Sequence, residues 1–434
     1  MKALISTSNK RTERVFLVGA ELKSRLSWEV RDSLNELAEL ATTAGGDVVG
    51  DGSQKLESPV AATFIGSGKA KAFARQCQEQ DVDTVIFDDD LSPAQSRNLE
   101  KVFDCKILDR TALILDIFAR RAHTREGKLQ VELAQLQHLL PRLTRFWSHL
   151  SRQTGGIGMR GDGETQLETD RRRVQERITR IKQDLHEVRR TRSTQRVGRQ
   201  RNLWPLASIV GYTNAGKSTL LNALTGASVG TEDKLFSTLD PTTRRLRLPT
   251  NQNVLLTDTV GFIRKLPHRL VEAFKATLEE VVEADLLLHV MDVSHPQVEE
   301  RIRAVNGVLD EIGAAGKPTI MVFNKTDRLE NGETASRYLE QFPNAAKVSA
   351  RTGDGIPGLL AELGSQLRPV RDFVGLHVPH QNAAVIARLH AVGQVVERNY
   401  QGDVARFKAR IPPHLRAEFA RYILPESDGA SDPE

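Results

Sequence analysis

Five short stretches of this 434-residue chain carry residue types suited to phosphate and purine chemistry. Gly211-Tyr212-Thr213-Asn214-Ala215-Gly216-Lys217-Ser218 has the spacing GxxxxGK(S/T), between an apolar run, Ala207 to Val210, and a helical stretch, Thr219 to Leu224. Its glycines let backbone N–H groups converge on phosphate oxygens at a helix N-terminus. Lys217 offers a point charge to the β and γ phosphates, and Ser218 can ligate Mg²⁺. Asp258-Thr259-Val260-Gly261 ends the run Val254 to Thr257. An Asp there can hold Mg²⁺ through water, and the Gly261 N–H can meet the γ-phosphate, so this segment senses whether that phosphate is present. Between the two, Phe236-Ser237-Thr238-Leu239-Asp240 lies in a polar stretch suited to a switch loop. Thr238 is its candidate for a second protein ligand to Mg²⁺, the alternative being an ordinary loop threonine.

Base choice is expected from Asn324-Lys325-Thr326-Asp327, after the run Thr319 to Phe323. Guanine presents two donors, N1–H and the exocyclic amino group, and the Asp327 carboxylate can accept both, whereas adenine lacks the second. Ser349-Ala350-Arg351 follows another short strand, where the Ala350 N–H could meet guanine O6. The expected GTP contacts therefore run from Gly211 to Thr219, Phe236 to Asp240, Asp258 to Gly261, Asn324 to Asp327 and Ser349 to Arg351.

Residues that work at strand ends need a sheet to carry them. The runs Ala207–Val210, Val254–Thr257, Leu286–Met291, Thr319–Phe323 and Lys347–Val348 read as parallel strands covered on both faces, which places the nucleotide domain at 202–368. Residues 1–122 also alternate strand and helix: apolar runs at Val15–Val18, Val48–Val49, Thr84–Phe87 and Lys106–Leu108 predict a small α/β domain with a mainly parallel sheet. Gly66-Ser67-Gly68-Lys69 lacks the upstream glycine of a phosphate loop and reads as a β-to-α turn; the alternative is a second nucleotide site that uses ATP. Residues 369–424 suggest a small α+β domain, and the acidic tail 425–434 is expected to be disordered.

Residues 123–201 differ from both neighbours. Leu129, Leu133, Leu136, Leu140, Leu143, Trp147 and Leu150 follow the 4, 3 spacing of a coiled-coil seam. It resumes with Leu167, Val174, Ile178, Ile181, Leu185 and Val188, so an antiparallel helical hairpin is expected. The first arm would extend roughly 33 Å, with the connecting loop at its tip and a kink at Pro141. Lys plus Arg total 61 against 56 Asp plus Glu, a net +5, yet Arg171 to Arg201 alone holds eleven Arg and Lys182 against Glu176, Asp184 and Glu187. The basicity is a segment of the second arm, and it suits an RNA backbone, with affinity that falls steeply with salt. The arm has no interleaved aromatics, which favours shape and backbone contacts over base reading. Only Cys77 and Cys105 are present, and no apolar run approaches the ~18 residues of a membrane span. A soluble, cytoplasmic monomer is expected, with no disulfide framework, no zinc site, no DNA partner and no membrane insertion beyond peripheral association.

The glycine-rich stretch Gly155-Gly156-Ile157-Gly158-Met159-Arg160-Gly161-Asp162-Gly163-Glu164, followed by Leu167-Glu168 and Asp170-Arg171-Arg172, resembles the signature of the HflX family of ribosome-binding GTPases, of the Era/Obg-like translation-factor class. The resemblance extends over nearly the whole chain. It implies a P-loop GTPase domain beside the other three segments, and a large ribosomal subunit as partner. It also implies a role in dissociating or rescuing stalled ribosomes under stress. Gly155, Gly156, Gly158, Arg160, Gly161, Gly163, Arg171, Arg172 and Arg173 would then face ribosomal RNA. Asp162 departs from the family's proline, a change that makes the tip more flexible or less attractive to phosphate.

Lys217, Thr238 and Gly261 are the expected catalytic set, with Ser218, Thr238 and, through water, Asp258 on Mg²⁺. Ras-like enzymes orient the attacking water with a Gln after the DxxG segment; here that position is Phe262, so slow intrinsic hydrolysis and stimulation by a partner are expected. Related GTPases with Asn at the position of Asn214 hold a K⁺ ion near the phosphates; the other reading is an Asn that tolerates a tight turn. The competing functions are an ATP-driven RNA remodeller and a non-catalytic GTP-dependent switch.

Overall fold

The computed structural model of the chain describes residues 12–23, 26–143, 162–200, 204–226, 235–236, 238–250, 252–265, 278–329, 333–367, 372–411 and 415–424. Trp147, Leu150, the tip stretch through Gly161, Ser237 and the tail 425–434 lie outside them. The chain folds into two compact units. The first comprises Met1–Arg196, Thr231–Asp240 and Val260–Leu278; the second comprises Val197–Gly230, Pro241–Thr259 and Glu279–Glu434.

In the first unit, β1 (Glu13–Leu22), β2 (Gly46–Leu56), β3 (Thr84–Phe87) and β4 (Lys106–Asp109) form a fully parallel sheet of order β2-β1-β3-β4. Helices α1 (Ser27–Thr43), α2 (Ser67–Glu79), α3 (Pro93–Phe103) and α4 (Arg110–Arg121) connect and cover it. Phe16, Phe73, Phe87 and Phe103 fill the core on one side, with ring centroids 5.6 to 6.4 Å apart for Phe16–Phe73 and Phe87–Phe103. Cys77 is buried in this cluster and Cys105 packs against it; burial pushes their thiols up to about 12 and about 11, so both stay unreactive at neutral pH. Gly66 starts α2 as its N-cap, and its N–H donates to Gln54 Oε1 at 2.9 Å, the geometry of a strand-to-helix turn.

The long helices α5 (Arg125–Leu143) and α6 (Asp162–Gln200) pack through Leu129, Leu133, Ile178, Ile181 and Leu185, flanked by Leu136, Leu140 and Val174. Arg177 of α6 forks onto both carboxylate oxygens of Glu132 of α5, at 2.7 and 2.8 Å. Helix α5 continues through Pro141 to its last described residue. No helix among the described residues is long and apolar enough to cross a membrane.

Beside the end of β3 the first unit buries an ionic cluster. Arg110, 2% exposed, sends Nη1 to Asp88 Oδ1 at 2.7 Å and Nη2 to Glu36 Oε2 at 2.5 Å. Ser33 donates to Asp88 Oδ2 at 2.7 Å. The segment after Gly261 joins the cluster: Lys265 Nζ donates to Asp88 Oδ2 and, at 3.0 Å, to Asp89 Oδ1, while Arg264 bonds Asp32 at 2.8 Å.

The second unit holds a six-stranded sheet of order β10-β9-β8-β5-β7-β6, built from β5 (Leu206–Gly211), β6 (Thr242–Arg247), β7 (Asn253–Asp258), β8 (Leu286–Asp292), β9 (Thr319–Asn324) and β10 (Ala345–Lys347). All pairs are parallel except β6 with β7. A three-stranded antiparallel sheet follows, β11 (Asp372–Pro379), β13 (Val404–Ile411) and β12 (Gln394–Gln401) in that order, with its own core of Leu376, Val378, Phe407 and Ile411.

The Arg110 guanidinium stands at the N-terminus of α4, where the helix dipole opposes a cation, so its carboxylate partners decide its stability. Arg110→Ala leaves Asp88 and Glu36 buried with one cation fewer and is expected to cost about 3–5 kcal/mol. Equilibrium urea unfolding checks it: a first-unit transition within about 1 kcal/mol of the parent would refute the account.

Candidate nucleotide site

The second unit contains Gly211–Thr219, Asp258–Thr259, Asn324–Asp327 and Ser349–Arg351. The loop after β5, the central strand, leads into α7 (Lys217–Thr225). Gly211 has φ +147°, and a Cβ there would overlap the Val290 carbonyl of β8; Gly216 has φ +93°, and a Cβ there would overlap the Asn324 amide. Only glycine permits both approaches. Asn214 is exposed with φ +59°, the left-handed turn conformation that Asn tolerates.

Lys217 is 6% exposed, and its Nζ donates to the Tyr212 carbonyl at 2.9 Å. Burial lowers its ammonium to about 8, against the opposing pull of Asp258. Ser218 Oγ donates to Asp258 Oδ2 at 2.6 Å, and both side chains are buried. Two oxygen ligands of the sort Mg²⁺ takes thus meet beside Lys217, so this pair fits the ion. His289, on β8, is fully buried; burial first and the Lys217 charge second lower it to about 4, so it stays neutral at physiological pH. Thr259 Oγ1 donates to the Ile209 carbonyl at 2.7 Å and ties the end of β7 to β5.

Asn324 joins the phosphate loop to the base-reading segment. Its Nδ2 donates to the Ala215 carbonyl at 2.8 Å, and its Oδ1 accepts the Ala350 N–H at 2.9 Å. That N–H, expected toward guanine O6, is directed onto Asn324 here. Asp327 is exposed, and its Oδ1 accepts from Ser349 Oγ at 2.7 Å. Lys325 has φ +66° and an ion pair with Asp292 at 2.8 Å. Burial pushes the Asp292 carboxyl up, but hydrogen bonds from Lys325 and Ser294 outweigh it and hold it below the usual range. The sequence reading missed Asp292, whose signal was its place at the end of an apolar strand, and Arg301, whose guanidinium lies 4.6 Å from the Tyr212 ring centre.

The remaining expected residues belong to the first unit. Phe236 is buried against Phe118 of α4, edge to face at 4.6 Å; Leu239 and Val260 are buried, and Phe262 is 1% exposed. Arg171, Arg172 and Arg173 are exposed on α6. Arg172 pairs with Glu176 at 3.0 Å and Arg173 with Asp170 at 3.5 Å.

The buried lysine gives the binding of a diphosphate such as that of GDP an expected pH dependence of definite sign. Its folded-state value near 8 lies below the ordinary 10.5, so the unfolded chain holds the extra proton in that window, and the empty protein gains stability as pH rises through it. A bound diphosphate favours the charged form, so binding at about pH 8.5 takes up a proton, and affinity weakens as pH rises above about 8. Calorimetry in buffers of different ionisation enthalpy checks this. Wild type should show uptake and Lys217→Met none; equal proton release in both would overturn it.

Residues 31–119, 121–199 and 207–325 match the families described as GTP-binding GTPase N-terminal, GTP-binding GTPase Middle Region and 50S ribosome-binding GTPase. GTPase HflX of Caldanaerobacter subterraneus subsp. tengcongensis is 47% identical over 399 residues, 91% of each chain. That of Escherichia coli K12 is 48% identical over 375 residues, 86% of this chain and 87% of its own. A solved GTP-binding protein from the archaeon Sulfolobus solfataricus, in complex with GDP, aligns with 82% of this chain and 98% of its own at 23% identity and a TM-score of 0.44. With the phosphate loop, the Ser218–Asp258 pair and the Asn324–Asp327 segment placed by one sheet, and these relatives matching nearly end to end, the chain belongs to the HflX family of GTPases and is a GTP hydrolase.

Proposed function

We propose that this GTPase binds the large ribosomal subunit through its helical hairpin, dissociates or rescues stalled ribosomes under stress, and has its hydrolysis stimulated there. The observation that carries the reading is the arrangement of α6: Ile178, Ile181 and Leu185 face α5, while Arg171, Arg172, Arg173 and Arg180 stay exposed. Exposed arginines along one helix suit phosphate by bidentate hydrogen bonding. Arg160 and the tip glycines through Gly161, which lie outside the described residues, are read as part of the same RNA contact, and the 50S ribosome-binding family match over 207–325 supports the choice of subunit.

In the proposed mechanism Lys217 neutralises charge at the β and γ phosphates, and the Gly261 N–H meets the γ-phosphate. Ser218 and Thr238 would hold Mg²⁺, with Asp258 reaching it through water, and the ion would supply positive charge against that developing on the transferred phosphoryl group. Asp327 accepts from the two guanine donors. Phe262 has no group to orient water, so the missing polarisation would come from another switch residue, from the partner or from a K⁺ ion that Asn214 would help hold; an added charge at this point is worth ~10³ to 10⁵ in rate.

GTP turnover with and without purified large subunits, in K⁺ and in Na⁺, tests the account. The intact chain should be stimulated, and more so in K⁺, whereas a chain with residues 151–164 replaced should not. No stimulation of either would sink the ribosomal reading, and equal rates in the two salts would remove the ion. Asp327→Asn should exchange guanine for xanthine preference, since the amide can donate to the xanthine 2-oxo group; competition binding with GDP and XDP reads this, and unchanged guanine preference would refute the base assignment.

A further inference from the structure

The stretch Phe236 to Asp240 is fastened to the first unit at both ends. At one end Phe236 is buried against Phe118 of α4. At the other, Asp240 Oδ2 accepts the backbone N–H groups of His123 and Thr124, each at 2.9 Å, and Oδ1 accepts the Thr124 hydroxyl. The Thr124 oxygen in turn accepts the Gly127 N–H at 3.0 Å. Thr124 is thus the cap of α5, which begins at Arg125, and Asp240 holds that cap at the positive end of the helix dipole. An aspartate 116 residues away in the chain therefore fastens the start of the first arm of the hairpin.

Gly127 reinforces the point. It lies buried in the first turn of α5, where alanine would be the better helix former, but a Cβ there would run into Asp240 Oδ1. The glycine leaves room for the carboxylate. Thr238, the residue read above as a Mg²⁺ ligand, lies between the two fastenings, and Asp240 is followed at once by Pro241 and β6.

We propose that Asp240 is a positioning residue for GTP hydrolysis: by its bonds to the start of α5 it fixes where Thr238 stands, so that the root of the hairpin arm sets the hydrolysis rate. The proposal rests on the reading of Thr238 given above. A shift of about 1 Å in a positioned group can cost roughly 10²-fold in rate. A displaced Asp240 would act on the hydrolysis step and leave GDP binding, which uses Lys217 and Asp327, in place.

The test uses the full chain, with single-turnover GTP hydrolysis and GDP affinity measured for Asp240→Ala, Gly127→Ala, the double variant and Thr238→Ala. Asp240→Ala and Gly127→Ala should each slow hydrolysis at least about tenfold while GDP affinity stays within about twofold. The double variant should be no slower than Asp240→Ala alone, because without the carboxylate the added methyl displaces nothing. Hydrolysis within about twofold of the parent in either single variant overturns the proposal. So does a double variant whose loss is the product of the two, or a parallel fall in GDP affinity. Thr238→Ala separates the two readings: normal hydrolysis there, with slow hydrolysis in the other two, removes Thr238 as a ligand and keeps Asp240 as the anchor.

Discussion

The nucleotide site is organised around a buried ammonium group. Lys217 lies almost wholly out of water, with a backbone carbonyl from its own loop as hydrogen-bond partner and Asp258 near enough to pull its titration upward. Desolvation still dominates, so the loop holds a cation whose burial is only partly offset by its neighbours. An anion of matching size relieves that deficit. The surroundings are equally dry and close: His289 is kept neutral by its own burial first and by the Lys217 charge second, Ser218 donates to Asp258, and the loop approaches β8 and β9 at two glycines that admit no side chain.

The phosphate loop and the ends of β9 and β10 meet in one amide. Asn324 donates to the phosphate loop and accepts from the segment that follows β10, so a displacement of the loop is felt by the stretches after both strands. Asp292 and Ser349 then hold Lys325 and Asp327 from the sides. A site assembled from the ends of several strands acquires its precision from such cross-links rather than from any single loop.

Most of this was legible in the chain because motif spacing and apolar periodicity report local structure and strand burial. The seam of α5 and α6 was legible for the same reason: Leu129, Leu133, Ile178, Ile181 and Leu185 fall at the expected spacing and are buried together. Strands β6 and β12 were missed because they lie at sheet edges and carry polar residues; Leu246 is the only buried residue of β6. The direction of the Ala350 N–H was missed because a backbone donor has no sequence signature. The Asp240 fastening was hidden because its partners lie more than a hundred residues upstream, and the one local sign, a glycine in the first turn of α5, has several common causes.

The cluster of Arg110, Asp88 and Glu36 with Lys265 bears on how the stretch after Gly261 is held. A buried ionic group contributes little net stability against an apolar equivalent of the same shape, since desolvation offsets most of the Coulombic gain. Its particular property is orientation: a guanidinium and an ammonium must each meet carboxylate oxygens at hydrogen-bond distance, and a slip of one residue would leave a charge buried without its partner. Phe262 and Ile263 in the same stretch are buried too, yet apolar contact alone tolerates sliding. Lys265 on Asp88 and Asp89, together with Arg264 on Asp32, removes that freedom. The stretch that begins at Gly261 is thereby pinned in register a few residues downstream.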